Sequence, residues 1–266
     1  MQSQYLNQVG LERGLRSWMV RFALHRFRAA DLRSSTRVDR YVAISHYVSR
    51  RIRKCYRRDS DVIYPPVDAP MQCEFVARGN EYITVSRLVP YKRVDIIVDA
   101  FRELPELVLN VVGSGPEMDR IRRLAPLNVV FHGSLDDAAR NRRVSVAAAF
   151  VFAAEEDFGI APLEAQALGV PVIAYGRGGS VETIRGLGSK TPTGVLFAAQ
   201  DPASVAGAIR EFEQERHRIT PDACRANALR FSAERFRTEF EQYVVQAWND
   251  FNALRHETSG PEPVGI

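Results

Sequence analysis

Residues 155–179 read EEDFGIAPLEAQALGVPVIAYGRGG. An acidic loop opens the stretch, a helix starts near Gly159 with Pro162 in its first turn, and an apolar strand, PVIAYG, follows. Proline fits a first turn because the N–H it lacks has no helical partner there. Immediately upstream, VAAAFVFAA reads as a buried strand, so the order is strand, helix, strand. The longest apolar run, VSVAAAFVFAA from Val144, falls short of the roughly 18 residues that suggest a membrane span and reads as strand throughout.

The same alternation extends outward from this stretch. YITVS (Tyr82–Ser86) is a strand followed by the helical RVDIIVDAFREL. LVLNVVG (Leu107–Gly113) precedes a helix, PEMDRIRRLA, with Pro116 in its first turn, and NVVFHG and GVLFA supply further strands. Such alternation predicts an α/β fold: a doubly wound parallel sheet with helices on both faces. Its ligand crevice should lie beyond the carboxyl ends of the strands.

The two ends of the chain depart from the pattern. Gly14 to Ala30 reads as a basic amphipathic helix with Leu15, Trp18, Met19 and Phe22 at helical spacing. RYVAIS (Arg40–Ser45) is one strand, HYVSRRIRKCY one helix, and SDVIYPPVDAP a proline-rich hinge. One strand and one helix cannot bury their own apolar faces. Residues 1–76 therefore read as the end of a domain whose beginning is absent, plus a linker, and RYVAIS should be left without a partner strand. Residues 77–230 form the doubly wound domain, and 231–255 a long helix carrying Phe236, Phe240, Tyr243, Val244, Trp248 and Phe251. Residues 256–266 read as a disordered tail. Trp18, Phe22, Tyr41–Ile44 and the aromatic face of the last helix should lie exposed and promote association.

A net charge of +4 conceals an asymmetry: residues 1–60 hold 14 Lys and Arg against 4 Asp and Glu, the remainder 22 against 28. Such a basic head suits nucleic acid, anionic lipid or a phosphorylated substrate, or is a solvated arginine-rich face. The 3 cysteines are odd in number and form no close pair, as in a reduced cytosolic protein. The 5 histidines lie too far apart for metal-ligand spacing. An Asp-x-Asp at Asp59–Asp61 precedes a strand instead of ending one and reads as a surface turn.

Three segments fall at carboxyl ends of expected strands. SRLVPYKRVD puts Arg87 and Lys92 on one turn, two cations suited to a diphosphate, or two ordinary surface bases. VVGSGPEM begins like a dinucleotide fingerprint with Gly113 and Gly115, but Met118 stands where the third glycine belongs, so a nicotinamide cofactor is not expected. The glycines would instead let a nucleotide approach the backbone. In EEDFG, Glu156 precedes the helix and Glu164 lies more than a turn inside it. The helix start offers free N–H groups and partial positive charge to a phosphate. The two acids could then bracket a nucleotide sugar, or be a capping acid and a surface acid. A fourth segment, VVFHGSLDDAAR, ends a strand at Phe131 and brings Leu135, Asp136 and Asp137 to the same lip. A carboxylate there matches the paired N–H donors of guanine, or the two acids only start the next helix.

Together, SRLVPYKRVD and EEDFGIAPLEAQALGVPVIAYGRGGSVE resemble family-4 glycosyltransferases of the retaining, two-Rossmann-domain (GT-B) class, over roughly Val38 to Val244. The wording is similar to a bacterial polysaccharide subgroup that often uses GDP-mannose. The resemblance implies that Arg87 and Lys92 bind the donor diphosphate, Glu156 contacts the transferred sugar and Glu164 holds the ribose. It places Gly113, Leu135, Asp137, Phe158, Gly159 and Ile160 around the donor. It implies front-side displacement with retention, no cofactor or metal, and a glycan or polyprenyl-linked acceptor. It also implies an N-terminal acceptor-side half that this sequence does not match, so activity of the chain alone is an open expectation. Nucleic acid is no longer an expected partner, and the expected location is the cytoplasm, with peripheral contact at the inner face of the plasma membrane as an option. The alternatives are a nucleotide-sugar-binding remnant without catalysis and a nucleotide-sugar epimerase of the same build.

Overall fold

The computed structural model describes residues 15–67 and 79–258. Its centre is a six-stranded, wholly parallel sheet. With α1 (Leu15–Ser35), β1 (Val42–Ala43), α2 (His46–Tyr56) and β2 (Asp61–Val62) preceding it, the sheet begins at β3 (Glu81–Val85). A 3-10 turn at Pro90–Lys92, α3 (Val94–Ala100), β4 (Val108–Val112), α4 (Met118–Leu124), β5 (Val129–Gly133) and α5 (Asp137–Val146) follow. The second half is β6 (Ala149–Phe152), α6 (Ile160–Ala167), β7 (Val172–Tyr175), α7 (Ser180–Thr183), β8 (Gly194–Phe197), α8 (Pro202–Glu215), α9 (Pro221–Leu229) and α10 (Ala233–Thr258). The strand order is β5-β4-β3-β6-β7-β8, every pair parallel. The order reverses between β3 and β6, and ligands of open α/β sheets bind at that reversal.

Alternate strand residues point to opposite faces, and here both faces of the inner strands are covered, while Val130 of the edge strand β5 stays exposed. Tyr82, Leu109, Val111, Val151, Ile173 and Val195 enter one core with Ile97 of α3, Ile121 of α4 and Phe212 of α8. Ile83, Val112, Phe150, Phe152, Val172 and Ala174 enter the other with Val144 of α5 and Leu168 after α6. Each fully buried Leu, Ile or Phe contributes about 1.5–3 kcal/mol. Such burial explains the unbroken apolar strands of the sequence. A buried polar knot joins three helices: Asn227 Nδ2 donates to Gln166 Oε1 and to the Thr183 carbonyl, both at 2.7 Å.

Several boundaries differ from the sequence reading. Val144–Val146 form the last turn of α5, so β6 is only four residues long. Pro116 precedes α4, which starts at Met118 because Glu117 N–H donates to the Leu88 carbonyl (3.1 Å). Strand β5 continues past Phe131 to Gly133, where a register shift pairs Gly133 with Val112. RYVAIS is not left without a partner: Val42 and Ala43 pair in parallel with Asp61 and Val62, and α2 is their crossover. Asp61 thus opens β2, while Asp59 stays exposed, 3.8 Å from Arg53. Residues 60–67 of the proline-rich hinge are ordered against the rest of the chain, with Asp61 and Val62 in β2 and Val67 buried. Its residues 68–70 and residues 259–266 of the expected tail lie outside the described residues, whereas residues 256–258 are helical.

The N-terminal unit is docked on the sheet domain through a small aromatic core. Tyr64 stacks on Phe158 (5.8 Å between centroids) and meets Phe231 edge-on (5.2 Å), with Val67 and Leu163 completing the cluster. Helix α10 reaches back to the same unit through Arg235 Nη2, which donates to the Tyr64 carbonyl (2.8 Å), and through Asp250, which accepts from Arg40. Trp18, Phe22, Val42, Ile44, Phe240, Trp248 and Phe251 are exposed, as expected, whereas Ala43 is buried and Tyr41, Phe236 and Tyr243 are half-buried.

Candidate functional site at the strand reversal

The loop after β3 is zipped to the loop after β4. Ser86 N–H donates to the Val112 carbonyl (3.0 Å) and Leu88 N–H to the Ser114 carbonyl (2.9 Å). A Cβ on Gly113 would stand 1.9 Å from the Ser86 carbonyl oxygen, and one on Gly115 2.3 Å from that of Leu88. The close approach these glycines permit is therefore to the neighbouring loop of this chain, which explains their presence without a nucleotide. Between the half-buried Ser86 and the buried Leu88, Arg87 is exposed and forms no ion pair among the described residues. Lys92 ends the 3-10 turn, and its ammonium meets the carboxylate of Glu156. The ammonium also lies 5.3 Å from the Tyr91 ring centroid and 5.9 Å from that of Phe152, a cation–π setting.

Glu156 sits on the loop after β6, so the two residues face each other across the strand reversal. Its loop is fixed from below by the glycines after β7. Gly179 N–H donates to the Glu156 carbonyl at 2.7 Å. A Cβ on Gly178 would fall 2.3 Å from that carbonyl oxygen, and one on Gly179 2.3 Å from Phe158 Cα. The Phe158 ring is buried beside Tyr64 and Leu163, so only its backbone remains to meet a donor. Gly159 takes φ +89° at the start of α6 and supplies no side-chain cap, leaving the first N–H groups of the helix open, with Ile160 exposed.

Glu164 stands apart from that pair. It lines a shallow cleft with Val85, Arg140, Ala161 and Ala165. Burial pushes its carboxyl above the usual carboxylate range; Arg140 opposes the shift and Asp137 adds to it. Arg140 is paired with Asp137 at 2.9 Å, and Asp136 caps α5 by accepting from Ala139 N–H at 2.7 Å. Asp136 is thus a helix cap, whereas Asp137 is largely exposed on the Glu164 side. Leu135 packs into the core on that face. Two clusters result: Lys92 with Glu156, and Glu164 with Asp137 and Arg140.

Sequence reasoning passed over Arg140, Gly178, Gly179 and Glu182. The last accepts the backbone N–H groups of His46 and Tyr47, both at 2.8 Å, and the Tyr64 hydroxyl at 3.1 Å. The GRGG spacing is a visible signal for the glycines, but nothing local marks a carboxylate that caps a helix 135 residues away.

A family model for glycosyl transferases group 1 matches residues 73–231. The chain belongs to this family. Among curated members, it is 37% identical over 132 residues to a GDP-mannose-dependent monoacylated alpha-(1-6)-phosphatidylinositol monomannoside mannosyltransferase of Corynebacterium glutamicum, covering 44% of this chain and 33% of that one. It is 33% identical over 155 residues to the GDP-mannose-dependent alpha-(1-6)-phosphatidylinositol monomannoside mannosyltransferase of Mycolicibacterium smegmatis, covering 51% and 40%. The chain thus spans a third to two-fifths of the length of these relatives. Among solved structures, the fold is shared with Anabaena Alr3699/HepE in complex with UDP (TM-score 0.69, 20% identity, covering 79% of this chain and 64% of that one). It is shared also with the GtfA/B complex (TM-score 0.66, 21% identity, covering 82% and 47%). That likeness is one of fold, the Rossmann-like half of the GT-B architecture. Among the described residues no helix is long and apolar enough to cross a membrane.

Proposed function

We propose that this chain carries the donor side of a hexosyltransferase that moves mannose from GDP-mannose, with retention, to a glycan or lipid-linked acceptor. The observation that carries the proposal is the meeting of Lys92 and Glu156 at the strand reversal, beside the open start of α6. A cation, an acid and free N–H groups at one point suit a sugar diphosphate: the leaving diphosphate gathers negative charge, which Arg87, Lys92 and the helix start would stabilise. Glu156 would hold the sugar, and Glu164, with Asp137 nearby, the ribose and base. The curated relatives described above use GDP-mannose, which supports the choice of donor.

Since the charge would be met by protein groups, no cofactor or divalent ion is needed and turnover should survive chelation. Exposed Trp18, Met19 and Phe22 beside Arg21 and Arg26 would suit a peripheral contact with anionic lipid at the cytoplasmic face of a membrane. The test is GDP release from GDP-mannose by the purified chain, alone and with polyprenyl-linked acceptor. A second reading is donor binding without transfer. Tight GDP-mannose binding with no GDP release would select it, and conversion of donor without acceptor would point to an epimerase.

A further inference from the structure

Three carboxylates stand in a row at the strand reversal, Glu155, Glu156 and Asp157, and only the middle one meets Lys92. The structure shows what holds the other two. Tyr47 Oη donates to Glu155 Oε1 at 2.9 Å, and Arg51 Nη1 to Asp157 Oδ1 at 2.5 Å. Ser45, the N-cap of α2, adds a bond from its Oγ to the Asp157 carbonyl at 2.5 Å.

The spacing explains the selection. Tyr47 and Arg51 are one helical turn apart on α2 and share a face, with Cβ atoms roughly 5–6 Å apart. Glu155 and Asp157, two residues apart in the loop, both reach that face of the helix, while Glu156 between them meets Lys92. When Glu155 and Asp157 are taken by the helix, the residue between them is turned the other way, into the crevice. The helix is itself secured: Glu182 accepts the N–H groups of His46 and Tyr47 at its start. Glu182 follows Gly179, whose N–H holds the Glu156 carbonyl. The contacts therefore close a ring from α2 through the acidic loop and α7 back to α2.

We propose that Tyr47 and Arg51 are positioning residues that select Glu156, out of three adjacent carboxylates, as the acid facing the donor. The strand–helix unit before the sheet domain is on this account part of the donor site. The inference rests on Glu156 as the sugar-facing acid, and its test has one arm that needs no donor.

Tyr47→Phe, Arg51→Met and the double variant are compared with wild type and with Arg51→Lys. In the ligand-free protein, amide exchange over residues 154–159 should accelerate about tenfold in the double variant, as expected when local opening loses one or two charge-assisted contacts, while β4 and α4 stay unchanged. Titration should show GDP bound within about twofold of wild type and GDP-mannose weakened about tenfold, equivalent to one lost hydrogen bond to a charged group. Arg51→Lys should restore part of the loss. Tyr47→Phe keeps the ring and removes one hydroxyl, so it carries the test if the double variant does not fold. Unchanged exchange over 154–159, or equal losses for GDP and GDP-mannose, overturns the proposal. A wild type that binds neither ligand removes the donor reading, and the exchange arm then decides the positioning role by itself.

Discussion

Lys92 and Glu156 stand 64 residues apart in the chain and meet side chain to side chain where the strand order of the sheet reverses. Each is mostly shielded from water, so their attraction is screened less than that of a surface pair. Without a ligand, each therefore occupies the group that the other would offer to a donor. On the proposed reading, a diphosphate arriving at Lys92 would compete with Glu156, and the released carboxylate would become free for sugar hydroxyls.

That exchange makes the two cations unequal. Arg87→Ala and Lys92→Ala should each weaken GDP binding by about 1.5–3 kcal/mol, with Lys92→Ala the larger because it also leaves Glu156 unpaired beside the phosphates. Guanosine should bind both variants as it binds wild type. Calorimetry with GDP and with guanosine decides it, and equal losses for the nucleoside would remove the phosphate assignment.

The two acids should separate by role. Glu164→Gln should weaken GDP and GDP-mannose alike, by roughly tenfold if one hydrogen bond to a charged acceptor is lost. Glu156→Gln frees Lys92, so GDP should bind at least as tightly as to wild type while GDP-mannose binds more weakly. If Glu156→Gln costs GDP as much as it costs GDP-mannose, the acid does not face the sugar.

Burial raises the Glu164 carboxyl, and the sign of the consequence is definite. An acid whose folded value exceeds its unfolded one favours the protonated folded state, so ionisation costs stability. The penalty is absent below the ordinary glutamate range and grows to its full size as pH rises past the raised folded value. Thermal unfolding of Glu164→Gln should therefore match wild type near pH 4 and exceed it at pH 7. A variant less stable than wild type at pH 7 would show that the carboxylate is held by a favourable partner instead.

Asp137 is tested by base preference. One carboxylate accepts both N1–H and the N2 amino group of guanine, whereas uracil offers only N3–H. A charged oxygen left unpaired costs about 1–3 kcal/mol, so GDP should outcompete UDP by roughly tenfold or more. Asp137→Asn should narrow that gap. Arg140 already engages Asp137 at 2.9 Å, so the comparison also reads whether the base displaces that contact. UDP binding wild type as well as GDP does would remove both the guanine and the mannose assignments.

Two glycines give opposite expectations for one added methyl. A Cβ on Gly179 would press on the Phe158 backbone at 2.3 Å, and Gly179→Ala should cost about 1–3 kcal/mol, as overpacking does. Gly207 lies exposed inside α8 with nothing within 4 Å of a Cβ, so Gly207→Ala should add about 0.5–1 kcal/mol. Denaturant melts of the two variants measure both. A harmless Gly179→Ala would mean that the acidic loop is not held against the glycine turn.

The sheet and most of its helices were legible in the sequence, because these depend on local signals. Strands buried on both faces are apolar almost throughout, which exposes AFVF, VIAY and, Asn110 apart, VLNVV to direct reading. Helix α2 was legible at His46–Tyr56, with Ser45 now seen accepting from Val48 N–H as its cap. Arg87, Lys92 and Glu156 could be named as candidates because a carboxyl-end loop is where such a sheet offers room, and Glu164 because it lies just over a turn into the helix that follows. The partnerships came from the folded arrangement alone. That Val42–Ala43 find Asp61–Val62, that the Phe158 ring turns into a core with Tyr64 and Phe231, and that Lys92 meets Glu156 all follow from strand order and loop packing. No residue near Glu155 in the chain announces that Tyr47, 108 positions earlier, will hold it. A side chain's partner across such a distance is set by which strands lie side by side, and a local pattern of apolar and polar residues carries no record of that choice.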